Sequence, residues 1–179
     1  LWINLFTLYH LIFVVKIKIN MRVCIFGSGL SALTLAKALV KEKINVDLIY
    51  SNINNKINKS RTLGISKSNF DYINTNIVKI DKISWKLKKI EIFTENLKNE
   101  KILNFQNNEK QLFSIIKNFE FYDVINKSLI NNKFFNKIKL KKKNKDFEDY
   151  NLIINTDYSS ILTKRHFNKK IIKKYNSYA

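Results

Sequence analysis

A short apolar run, Arg22-Val-Cys-Ile-Phe26, leads directly into Gly27-Ser-Gly-Leu-Ser-Ala32, and no other segment constrains the fold as much. The spacing is G-x-G-x-x-A, and two of the chain's three glycines supply it. Each position has a physical reason. Gly27 permits a tight turn out of a strand. Gly29 has no side chain, so a pyrophosphate can approach the backbone. Ala32 is small enough for the following helix to pack on the strand. Phosphates would then lie at the positive end of that helix.

The context supports the motif. Leu30 to Lys41 has Leu33, Ala36, Leu39 and Val40 on one helical face. Lys41 and Lys43 suit its C-terminus. Asn45–Tyr50, with Val46, Leu48 and Ile49, reads as a second buried strand. Strand, glycine turn, helix and strand together predict the opening of a Rossmann-like βαβ unit in an α/β fold. One element departs from the pattern. The second strand of such units ends in Asp or Glu, which binds a ribose hydroxyl, whereas here Tyr50 and Ser51 stand there. Either offers a neutral hydroxyl instead. Asp47 falls three residues too early and is expected to point elsewhere.

Further along, Ser66 is a candidate N-cap for a short helix near Ser68–Ile73. Ile77–Phe93 and Lys101–Phe105 have strand patterning, with a hairpin connection between them. Leu112–Ile116, Lys137–Lys141 and Asn151–Ile154 read as strands, and Phe119–Ile130 as a helix. Trp85, Phe134 and Phe135 are expected in the core rather than around a substrate. Cys24, inside the first strand, reads as an inert core thiol.

Charge narrows the function classes. The chain carries 33 basic and 14 acidic residues, a net charge of +19. A nucleic-acid binder is one reading of such a balance. Against it, the only Arg residues are Arg22, Arg61 and Arg165, and duplex readers rely on Arg for bidentate base contacts. Abundant Lys, Asn and Ile with scarce Gly and no Pro fit an A/T-rich coding bias, so nucleic acid is not favoured as a partner. One Cys excludes a disulfide framework, and two widely separated His, His10 and His166, leave little for a metal cluster.

Leu1–Val15 is apolar but lacks a basic leader and a small-residue cleavage site, and it stops at Lys16, short of a bilayer span. The single Met, Met21, immediately precedes the first strand. Residues 1–20 are therefore expected to be a translated upstream leader, with a weak membrane anchor as the alternative. Residues 21–179 are expected to be the N-terminal part of a dinucleotide-binding domain.

From Met21 onward the sequence resembles the N-terminal part of FAD-dependent monooxygenases, the flavoprotein aromatic hydroxylases, and among them the ubiquinone-biosynthesis group. Three places carry the resemblance: the G-x-G-x-x-A turn, Arg61-Thr-Leu-Gly-Ile-Ser-Lys-Ser68, and Tyr150-Asn-Leu-Ile-Ile-Asn-Thr-Asp157. At the second, Gly64-Ile65-Ser66 replaces the family's Ala-Leu-Ser. At the third, Tyr158, Ile161 and Lys164 stand where the family has Gly, Ser and Arg.

The resemblance implies an FAD cofactor reduced by NAD(P)H, O2 as co-substrate, and a small aromatic or quinone-precursor substrate. It implies a cytoplasmic enzyme, with peripheral membrane association open. Gly27, Ser28, Gly29, Leu30 and Ser31 would present the turn and its N–H groups to the pyrophosphate. Arg61 would approach the cofactor's phosphate or flavin side, and Asp157 the pyrophosphate and the nicotinamide approach. A β-hairpin insertion is expected, and the fold would stop before the substrate domain is complete. A nicotinamide-dependent reductase sharing only the first motif, or a Lys-rich nucleic-acid-binding domain, would be the rival classes.

Overall fold

Apolar strands that must bury both faces need partners on both sides, and the first two strands of this chain find them. A computed structural model describes residues 21–50, 59–94, 100–106, 110–140, 147–157 and 160–166. Strands β1 (Arg22–Phe26) and β2 (Asn45–Tyr50) flank helix α1 (Leu30–Lys41). They sit at the centre of a four-stranded sheet in the order β8-β2-β1-β9, with β8 at Phe135–Lys139 and β9 at Leu152–Asn155. Every pair in it is parallel. The expected Rossmann-like α/β architecture is present. β2 and β9 lie on opposite sides of β1, so the crevice at the end of β1 is a topological switch point.

The two faces of this sheet differ. Val23, Ile25, Val46 and Leu48 face α1 and the helix α3 (Asn118–Ile130), whose Phe121, Ile125 and Leu129 are buried in the same core. Cys24, Phe26 and Ile49 face the other way, against Ile138, Phe147, Tyr150 and Leu162. Leu162 belongs to a short helix, α4 (Ile161–His166). Cys24 is fully buried, as its place in the strand required.

Helix α1 ends in a left-handed residue, Lys43, at φ 61°. The Lys43 N–H donates to the Val40 carbonyl and the Ile44 N–H to the Leu39 carbonyl, at 3.0 and 3.1 Å. This is the Schellman arrangement, with Lys where Gly is usual.

A second, antiparallel sheet runs β3-β7-β4, from Thr62–Ser66, Phe113–Lys117 and Ser84–Leu87. Ser66 caps the next helix, α2 (Lys67–Tyr72), accepting from the Asn69 N–H at 3.3 Å. Strands β5 (Lys89–Phe93) and β6 (Lys101–Gln106) form the expected hairpin. Ile90 pairs with Phe105 and Ile92 with Leu103, so one hairpin face is apolar. Glu91, on the other, holds the ammonium groups of Lys89 and Lys101.

Two expectations are corrected. The segment from Ile77 is not strand until Ser84: a π-helical turn occupies Ile73–Ile77 and a 3-10 turn Asp81–Ile83. The Asn74 side chain accepts the Ile80 N–H at 2.8 Å, which closes the backbone on itself while Ile77 and Ile80 still reach the core. Trp85 is not in the core but 56% exposed, because β4 pairs only with β7 and turns this residue outward, under the Lys117 ammonium. Phe135 is buried and Phe134 packs against the core, as expected.

Candidate functional site

The glycine turn lies at the carboxyl end of β1, in the switch-point crevice. Gly27 has φ 125°, a conformation that side chains resist. Its N–H donates to the Ile49 carbonyl at 2.9 Å, tying the turn to β2. On the opposite side a Cβ at Gly27 would collide with Thr156 Oγ1 and lie 3.6 Å from the Asp157 nitrogen. The structure therefore brings Gly27 and Asp157 together, the first from β1 and the second from the end of β9.

Gly29 is different. It is the N-cap of α1, with φ −76° and ψ 177°, so any residue could adopt its backbone. Among the described residues a Cβ there would meet nothing within 4 Å. Its carbonyl accepts the Leu33 N–H at 3.1 Å, but no side chain caps the helix and no acidic residue stands in its first turn. The N–H groups of a helix's first turn have no acceptor within the helix. Leu30, Ser31 and Ala32 supply them here, at the positive end of a twelve-residue helix. Ala32 is fully buried in the core beneath the turn, and Ser28 is half-buried while Ser31 is exposed.

The turn after β9 is built around Asn155. Its Oδ1 accepts from the Asp157 N–H at 3.2 Å and from Ser160 Oγ at 3.0 Å, while its Nδ2 donates to Thr163 Oγ1 at 2.6 Å. Thr163 Oγ1 in turn donates to the Asp157 carbonyl at 3.0 Å. Asp157 is thus held in a fixed turn beside Gly27. Sequence reading had not singled out Asn155, Ser160 or Thr163. The signal was there, in the density of short hydroxyl and amide side chains after an apolar strand.

Tyr50 closes β2, half-buried against the α1 side of the core, with the Lys137 ammonium 5.7 Å from its ring centre. Ser51 lies outside the described residues. Arg61 precedes β3 in the antiparallel sheet, exposed, with its carbonyl accepting the Asn118 N–H at 2.9 Å. Within that segment Gly64 has a packing role, since the Phe113 ring covers it and a Cβ would collide with Cε1.

Asp47 points away from the crevice, as its position foretold. It is 2% exposed and accepts from Arg22 Nη2 at 2.7 Å, Tyr150 Oη at 2.7 Å and Asn136 Nδ2 at 3.0 Å. Burial pushes its carboxyl up, but the hydrogen bonds from Tyr150, Asn136 and Arg22 outweigh that and hold it below the ordinary carboxylate value. Burial and the adjacent carboxylate raise the Tyr150 phenol well above its usual range. The Arg22 guanidinium also lies 5.0 Å over the Tyr150 ring. This cluster joins β1, β2, β8 and the approach to β9, and it is a structural clasp rather than a ribose contact.

Among the described residues no group of three His, Cys, Asp or Glu could hold a metal ion, and no helix is long and apolar enough to cross a membrane.

The parallel sheet with its glycine turn and antiparallel insertions is the fold of FAD-dependent monooxygenases. PqsL from Pseudomonas aeruginosa, solved in complex with 2-aminobenzoylacetate, superposes at a TM-score of 0.64 and 10% identity, over 87% of this chain and 48% of that one. The p-nitrophenol 4-monooxygenase PnpA from Pseudomonas putida superposes at 0.56 and 13% identity, over 66% of this chain and 32% of that one. The chain therefore spans less than half the length of these solved structures. Neither a protein-family model nor a curated protein sequence matches it.

Proposed function

We propose that this chain supplies the FAD-binding part of a monooxygenase that hydroxylates a small aromatic, quinone-precursor-like substrate with NAD(P)H and O2. The observation that carries this reading is the open space over Gly29. Among the described residues no neighbouring atom requires a glycine there, and no backbone strain does, which supports a ligand that approaches the backbone at this point.

The residues present fit the pyrophosphate of FAD. Gly27 re-aims the chain, Ser28 and Gly29 line the approach, and the Leu30 and Ser31 N–H groups donate to phosphate oxygens. Ala32 seats the helix. Asp157, fixed by Asn155 and Thr163, lies beside the pyrophosphate and orients what approaches it. Tyr50 and Ser51 offer hydroxyls to the ribose. Arg61 supplies positive charge toward the cofactor from the antiparallel sheet. The chemistry such a cofactor would supply here is hydride uptake from NAD(P)H and activation of O2. The protein's own work is to bind, orient and exclude water.

Titration of the chain with FAD tests the reading. A saturable change in flavin absorbance, reversed by ADP, is expected. Saturable nicotinamide binding with an unchanged flavin spectrum would replace it with the reductase reading.

A further inference from the structure

The far end of α1 carries a cavity that dinucleotide binding leaves unused. It is an open-sided cavity of about 340 Å³ between the last turns of α1, the π-helical turn and the residues after it, and Asn132 beyond α3. The helix separates it from the glycine turn by roughly 18 Å, from twelve residues at the usual rise.

Its lining is one-sided chemically. Among the described residues Lys37, Lys41 and Lys79 line it, and no Asp or Glu does. Lys41 Nζ donates to the Asn76 carbonyl at 3.0 Å and Lys37 Nζ to the Ser128 carbonyl at 3.3 Å. Each of these bonds uses one of an ammonium's three donors. Two asparagines of the lining are also turned to donate. Asn74 Oδ1 accepts the Ile80 N–H at 2.8 Å, and Asn132 Oδ1 accepts the Phe134 N–H at 3.0 Å. A backbone N–H demands the amide oxygen, so each of these side chains offers its NH2 group elsewhere. Val40 and Ile77, both nearly buried, give the cavity an apolar floor.

Three lysines with no carboxylate among the described lining residues, and two asparagines whose NH2 groups stay free of these backbone bonds, favour an anion rich in acceptor oxygens. The π-helical turn that shapes one side is a rare geometry that recurs at functional positions. We propose that this cavity binds a small phosphate-bearing ligand, apart from the cofactor.

The test uses inorganic pyrophosphate at constant ionic strength, titrated calorimetrically into the chain carrying Gly29→Val, which silences the helix N-terminus. Saturable binding is expected, weakened about ten-fold or more by Lys37→Gln with Lys79→Gln and unchanged by Lys127→Gln on the outside of α3. Lys79→Gln alone, at an exposed side chain, serves if the double variant does not fold. The same variants assayed on vesicles of phosphatidylglycerol separate the two sources of the phosphate. Loss in the titration marks a soluble ligand, and loss on vesicles alone marks a lipid headgroup. Binding that never saturates, that falls equally in Lys127→Gln, or that survives the cavity variants in both assays would overturn the proposal.

Discussion

The Thr156 side chain occupies the space that a side chain on Gly27 would need. Its hydroxyl donates to the Phe26 carbonyl at 2.7 Å and its N–H to the same oxygen at 2.8 Å, so the threonine cannot withdraw cheaply. Gly27 is thus fixed twice, by φ 125° and by this neighbour. Gly27→Ala is expected to cost about 1–3 kcal/mol of stability. Adding Thr156→Gly would relieve the collision and leave the backbone strain. Urea unfolding of both variants checks the order: the single substitution must shift the midpoint down, and the shift must be several times that of Gly29→Ala.

Lys43 pays for its left-handed conformation at the end of α1 with nothing the contacts require. Its N–H bonds need only the backbone. Lys43→Gly is therefore expected to raise stability by about 0.5–1 kcal/mol, read as an increase in melting temperature.

Asp47 sets an acid limit on the fold. Its carboxyl titrates below the ordinary 3.8 when folded, because Tyr150, Asn136 and Arg22 donate to the charged form despite its burial. A lowered folded value means that the unfolded chain binds the proton first as pH falls. The stabilisation is complete above the unfolded value and is lost as pH drops through the folded one. Asp47→Asn should lower stability at neutral pH by about 1–3 kcal/mol, since Arg22, Tyr150 and Asn136 all donate to this position and lose a charged acceptor there, the Arg22 part being discounted because its side chain is 44% exposed. It should also flatten the steepest part of the acid limb. Unfolding free energies measured from neutral pH to below the carboxylate range, in wild type and variant, test both effects together.

Much of the parallel sheet was legible because its signals are local. The limits of α1 and β2 coincide with the apolar pattern residue for residue, and Ser66 caps where its spacing said it would. The segment from Ile73 to Ile83 was not legible. Ile73, Ile77, Ile80 and Ile83 are spaced by four, three and three, which is helical and not alternating, so a strand reading from Ile77 passes over the local period, and the Asn74 side chain that claims the Ile80 N–H leaves no trace of its own in the pattern. Trp85 was misplaced because bulk and apolarity do not say which face of an edge strand meets the core. At the site, Gly27, Gly29 and Ala32 were readable from spacing. The partners of Asp47 were not, because Arg22, Asn136 and Tyr150 reach it across sequence separations of up to 103 residues. An Asp within an apolar parallel strand does announce that such partners must exist.

The most direct test of the nucleotide-binding reading is to measure the stability and the FAD affinity of Gly29→Val side by side. Among the described residues nothing lies within 4 Å of the added Cβ, and the backbone at φ −76° suits valine. Stability is expected to fall by no more than about 1–1.5 kcal/mol, the ordinary cost of an apolar N-cap in place of glycine. FAD binding is expected to weaken at least about ten-fold, because the side chain fills the space a pyrophosphate must enter. Wild-type FAD affinity in a stably folded Gly29→Val chain would contradict the account.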